Sequence, residues 1–198
     1  MIKTKQDLNY YLECDRIALG KKKKRPDLFG DEIWKFQICM RKLAYYANCG
    51  GIKAILPKIY YRLKYHHLSL KLGFSIPYNN IGPGLAIVHY GTIVISSGAT
   101  IGDNFRIHAG VNIGANGGES KAAEIGNNVY IGPGAKIIGD IKIGNNVCVG
   151  ANAVVVKDVE DSVTVGGIPA KTLSQNDSSK HLIKATEIFN SQKLTMCQ

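Results

Sequence analysis

The sequence is short of the residues that staple or anchor a chain. Its five cysteines, Cys14, Cys39, Cys49, Cys148 and Cys197, are odd in number and far apart. No Cys-x-x-Cys occurs and no cysteine–histidine group has zinc spacing, so neither a disulfide framework nor a metal site is expected. That usage suits a reducing, cytoplasmic compartment. The opening residues, Met1 to Leu8, hold no signal-peptide apolar core. No run of about 18 apolar residues is present, which argues against a membrane-spanning helix. Acidic residues are scarce, 15 against 25 Lys and Arg, for a net charge of +10. The surplus comes from Lys3–Arg25 and Lys53–Lys71. Basic arms often mean nucleic acid, yet no nucleic-acid motif accompanies them, and no such partner is expected. Solvated helix faces or an anionic small molecule account for the charge as well. Lys21 to Arg25 reads as a solvated loop or helix end.

Glycine is abundant instead, with 22 residues, and from Ile81 to Ala170 it keeps a fixed phase. Units of six begin with Ile or Val, usually followed by Gly, with a small or β-branched residue four places on. Units starting at Ile101, Ile107, Ile125, Ile131, Ile143 and Val149 obey the rule. A hexad cannot bury its Ile alone, so stacked turns must share one core. Ile125 and Ile143 are 18 residues apart, which is three hexads and one triangular coil. Ile101 and Ile125 are 24 apart, so six extra residues form a loop within Ala115–Glu124. Ile81, Ile87 and Ile93 keep the phase and Ile101 follows eight residues on, so two extra residues are expected in the corner after Ile93. Gly and Asn at the corners suit positive φ. Gly166 to Lys171 closes the column.

Around the column the pattern turns helical. Asp31 to Asn48 reads as a helix capped by Asp31 and stopped by Gly50-Gly51. A second is expected from Pro57 to Leu70, with Pro57 in its first turn and Ile59, Leu63, His66 and Leu70 as the packing stripe. His66 and His67 read as exposed or interfacial polar groups. Residues 174–180 form a polar linker. A last helix over Ser178–Lys193, with Leu182, Ile183, Ile188 and Phe189, would cap the sheet end. The expected division is 1–75 helical, 76–172 repeat column, and 173–198 linker and helix.

Several stretches resemble the hexapeptide-repeat acyltransferases, within them the serine acetyltransferase branch. They are Ile81 to Thr92, the glycine-bearing loop after Ile113-Gly114, Tyr130 to Ile141, and Gly166 to Lys171. The resemblance covers nearly half of the chain. It implies a mainly β fold, a left-handed parallel β-helix of 18-residue triangular coils with helical ends. It also implies acetyl-CoA as donor, no metal, and a homotrimer with sites between columns, a dimer of trimers being a further option. It places His89 at the catalytic histidine; the hexad count, separately, puts His108 one coil away as its candidate companion. It implies pantetheine along Gly132, Pro133, Gly150 and Ala151, an oxyanion donor near Gly114, and phosphate contacts from Lys136, Lys157 and Lys171. Tyr90, Glu119 and Lys121 are placed with the acceptor.

The departures bear on the acceptor. Val88 stands where the family has an Asp before the histidine, and Phe74 where it has a second acid. The loop's Arg-His pair falls on Lys121 and Ala122. His108, Glu119 or Glu124 is therefore expected to orient His89. The acceptor reads as L-serine or a sugar hydroxyl of a surface polysaccharide; a non-catalytic repeat scaffold is the alternative from another class. The chain ends Met196-Cys197-Gln198 rather than in Ile, so partnership with cysteine synthase is not expected.

Overall fold

The computed structural model describes residues 1–196; the end on which the cysteine-synthase expectation rests, and Cys197 with it, lies outside the described residues. Three helices come first: α1 Lys5–Ala18, α2 Glu32–Cys49 and α3 Ile52–Leu72. Then follow β1 Phe74–Ser75, β2 Ala86–Ile87, β3 Ile93–Ile95, β4 Thr100–Ile101, β5 Arg106–Ile107, β6 Asn112–Gly114 and β7 Glu124–Ile125. β8 Tyr130–Ile131, β9 Lys136–Ile138, β10 Lys142–Ile143, β11 Cys148–Val149, β12 Val154–Val155, β13 Thr164–Gly167 and β14 Ala170–Ser174 complete the strands among the described residues, and α4 Ala185–Met196 is the last described element. No helix among the described residues is long and apolar enough to cross a membrane.

The strands stack in three parallel sheets, one per face of a prism. They run β1-β3-β6-β9-β12, β4-β7-β10, and β2-β5-β8-β11-β13, with β14 added antiparallel to β13. We call them the β3, β4 and β5 faces. Inward side chains stack in register: Ile87, Ile107, Ile131 and Val149 on one face, and Ile113, Ile137 and Val155 on another. All are buried, each worth about 1.5–3 kcal/mol of apolar transfer. The coil arithmetic holds, since Ile101 pairs with Ile125 and Ile125 with Ile143.

The two-residue widening is displaced from its expected place. Ile87 pairs with Ile107 and Ile95 with Ile113. The extra pair therefore lies before Ile93, in the turn Val88–Thr92. Ile93 and Ile95 are both buried, so either could carry the hexad phase; the ladder selects Ile95. The six-residue loop is where it was expected, over 115–123. Gly98 admits it, because a Cβ there would lie 1.9 Å from the Ser120 carbonyl oxygen.

Asparagines form a ladder along the edge between the β4 and β5 faces. Asn104, Asn128 and Asn146 have φ of 55–57°, and each side-chain amide donates to the next asparagine's Oδ1, at 2.8 and 2.9 Å. This conformation is one that asparagine tolerates and branched residues do not.

Helices cap the top of the column. α1 lies in the region expected to be helical but was not delimited there, because its buried face includes Asp15 beside Leu8, Cys14 and Ala18 and so breaks the apolar rhythm. Thr4 and Asp7 close a reciprocal capping box at its start. Asp15 pairs with Arg41 of α2, Nε to Oδ2 at 2.8 Å, both residues buried. Arg41 also donates to the Ile81 and Gly82 carbonyls, and Asp15 accepts from the Gly84 and Leu85 N–H groups. Gln37 donates to the Leu85 carbonyl and accepts from the Ile87 N–H. These side chains satisfy backbone groups that a preceding coil would otherwise satisfy.

The remaining helix expectations need correction. Asp31 stands at the α2 N-cap position but makes no side-chain cap; its carboxylate instead accepts from Lys21 Nζ and the Asp27 N–H. α3 begins at Ile52, so Pro57 falls inside it. Its expected stripe points outward: Ile59, Leu63, His66 and Leu70 are exposed, while Leu68 and Leu72 are buried. The aromatic stacks Phe36–Tyr65 and Tyr46–Tyr61 set that rotation. α4 starts at Ala185 and does not cap the sheet end. It lies beside α1, Phe189 edge-on to Tyr10, and Thr186 bonds to Asn104. The open edge of the β5 face is covered by β14. The linker is seated too, Ser178 donating to the Asn128 and Asn146 carbonyls.

Candidate active site

The edge between the β5 and β3 faces carries the turns that leave β2, β5, β8 and β11. Register puts Val88, His108, Gly132 and Gly150 at successive levels of it, each one residue after a paired Ile or Val. His89 and Tyr90 occupy the widened turn, and Pro133 and Ala151 follow their glycines. The structure thus brings His89, Tyr90, His108, Gly132, Pro133, Gly150 and Ala151 to one edge. Gly132 is required for stacking, since a Cβ there would meet the Ala151 nitrogen at 2.8 Å.

His89 and Tyr90 are exposed. The rings of His89 and His108 lie 5.8 Å apart between centroids, tilted by 53°. Tyr130 packs on the other side of His108 at 5.2 Å, and His181 on Tyr130 at 5.0 Å. His108 Nε2 is out of solvent with no partner. Burial first, then the Arg106 cation and His89, hold its imidazole below the usual histidine range, in the neutral form. No side-chain carboxylate bonds to His89 among the described residues.

The other expected residues lie elsewhere within one chain. Gly114, Glu119, Lys121 and Lys157 belong to the edge between the β3 and β4 faces, the next corner of the prism. Lys121 is exposed and pairs with Asp140 at 3.8 Å. Glu124 opens β7 on the β4 face. Lys136 lies on the β3 face and donates to the Gly110 carbonyl. Lys171 is exposed on β14.

A cavity of about 300 Å³ adjoins His89. Ala86, Val88, His89, Tyr90 and Arg106 form its column side; Leu19, Lys21, Asp31 and Trp34 close it from the helices. Sequence reasoning missed Arg106, Lys21 and Asp31 as neighbours of His89. A signal for Arg106 was available: it immediately precedes Ile107, whose partner is Ile87. Lys21 and Asp31 carried none, because they arrive from distant segments.

Residues 122–157 match the family model described as bacterial transferase hexapeptide (six repeats). Among individual proteins the similarity runs to serine acetyltransferases. The chain is 44% identical over 102 residues to serine acetyltransferase of Staphylococcus aureus, covering 50% of this chain and 48% of that one. To the Staphylococcus epidermidis enzyme it is 45% identical over 101 residues, covering 50% and 47%. The chain therefore spans about half the length of the curated relatives it matches. Among solved structures, serine acetyltransferase of Neisseria gonorrhoeae superposes with a TM-score of 0.66 at 28% identity, covering 87% of this chain and 70% of that one. Serine acetyltransferase of Brucella abortus in complex with coenzyme A gives 0.68 at 25% identity, with 87% and 70% covered.

Proposed function

We propose that the chain is an acetyl-CoA-dependent O-acetyltransferase of the serine acetyltransferase type, acting on a hydroxyl of L-serine or a similar small acceptor. The observation that carries the reading is the shared edge, where His89 and His108 stand in line with Gly132, Pro133, Gly150 and Ala151. The likeness to serine acetyltransferases supports it, including one bound to coenzyme A, and on this reading the parallel coils take a left-handed course. On this reading residues 1–75 are a helical cap, 76–172 the acyltransferase column and 173–198 an accessory segment.

His89 is the general base. Its imidazole takes the hydroxyl proton as the oxygen bonds to the thioester carbonyl carbon; the carbon–sulfur bond breaks and the proton passes to the departing thiolate. Small residues on the edge leave a strip beside the histidine for pantetheine, with Lys136, Lys157 and Lys171 as phosphate contacts. Gly114, Glu119 and Lys121 reach a histidine edge from a neighbouring column of a homotrimer, where an N–H near Gly114 faces the oxyanion. The exposed apolar side of α3, Ile55, Leu56, Ile59 and Leu63, is surface that association would cover.

A sugar acceptor is the second reading, favoured by Val88 and by the absence of a carboxylate bonded to His89 among the described residues. Thiol release from acetyl-CoA, with L-serine run beside a panel of nucleotide sugars and glycans, decides between them. His89→Ala should lower turnover by about 10²–10⁴-fold with CoA affinity unchanged. Turnover retained in that variant would remove His89 as the base. CoA binding without release to any hydroxyl would leave a scaffold.

A further inference from the structure

The His89 cavity holds one cation without a counter-charge. Its titratable lining is Lys21, Asp31, His89, Tyr90 and Arg106. Lys21 and Asp31 are ion-paired, and the Lys21 ammonium also lies 6.0 Å from the Trp34 ring centroid. Those two charges cancel and hold each other. Arg106 is different. Its Nε is out of solvent with no partner, and no hydrogen bond or ion pair among the described residues involves its guanidinium. A guanidinium cannot shed its proton, and leaving a buried donor unmet is costly. Its effect is felt nearby, since it helps to keep His108 neutral.

We propose that Arg106 is the anion-holding residue of this cavity, and that the hydroxyl compound acylated at His89 carries a carboxylate. The planar fork of arginine matches a carboxylate through two parallel N–H donors. One uncompensated positive charge calls for a monoanion rather than a doubly charged phosphate. The neutral Lys21–Asp31 pair and the Trp34 ring form the opposite wall, so the acid is held at the column side, on the strand that precedes His108. That the bound acid is the compound acylated rests on the transferase reading. The anion site itself rests on the cavity alone.

The test is calorimetric titration of the protein, with CoA present, using two matched pairs. These are L-serine against L-serinamide, and methyl glucuronide against methyl glucoside. In at least one pair the acid should bind about tenfold or more tightly, the range of a hydrogen bond to a charged group. Arg106→Met should erase that preference, and Arg106→Lys should retain part of it by keeping the charge without the fork. Circular dichroism confirms that the variants fold, and the wild-type comparison depends on no variant. Equal binding within both pairs, no binding of any member, or a preference surviving in Arg106→Met overturns the assignment. Thiol release on the same samples separates the two claims: an acid preference lost in Arg106→Met without any release keeps the anion site and removes the transferase reading.

Discussion

At the scale of the residue, the site turns on a histidine whose neighbours are unusual. His108 is wedged between His89 and Tyr130, with Arg106 close by. Burial and the two neighbours disfavour its cation, so by NMR it should titrate below its ordinary 6.5. Arg106→Met should move that titration upward by removing one positive neighbour. The sign for stability follows. Below about pH 6.5 the unfolded chain takes up a proton that native His108 refuses, so stability falls as the pH drops and levels off once native His108 is protonated. His108→Asn should flatten that limb of a pH–stability curve; an unchanged limb would show that His108 is not its source. The part of the site on one strand edge was legible in sequence, because Ile87 and Ile107 mark their own stacking. Of the three groups expected to orient His89, only His108 meets it within one chain, ring to ring; both glutamates lie on other parts of the prism.

At the scale of the element, hexads specify coils well and helices poorly. Every hexad-leading Ile or Val meets the same inward environment, so spacing alone returned the strands and the six-residue loop. The two-residue widening was misplaced because Ile93 and Ile95 are equally apolar and only the β3–β6 ladder tells them apart. α1 was not delimited within the expected helical region because its buried face includes Asp15, which makes sense only opposite Arg41. That pair is the helices' grip on the first coil. Arg41→Met should therefore cost about 3–5 kcal/mol, since it strands a buried carboxylate. Gln37→Leu should cost less, about 1–3 kcal/mol for the strand groups it leaves unmet. Urea unfolding midpoints of both variants check the order, and an Arg41→Met midpoint equal to wild type would dismiss the capping role.

At the scale of the whole molecule, the expected residues fall on two edges of one prism: the histidines and small residues on one, and Gly114, Glu119, Lys121 and Lys157 on the next. A single column keeps them apart, so the proposed trimer is what would join them. Light scattering should give three times the mass of one chain, and thiol release per chain should fall when dilution splits the assembly. A monomer with full turnover would contradict this. The sequence by itself determined the coil, its period, the loop and the face of each hexad residue, because a repeat confines every position to the same local geometry. Tertiary structure alone decided what lies beside His89. Lys21 and Asp31 reach that cavity from segments more than fifty residues away; loop closure of that length leaves no periodic trace, and only packing of the helices against the first coils brings them there.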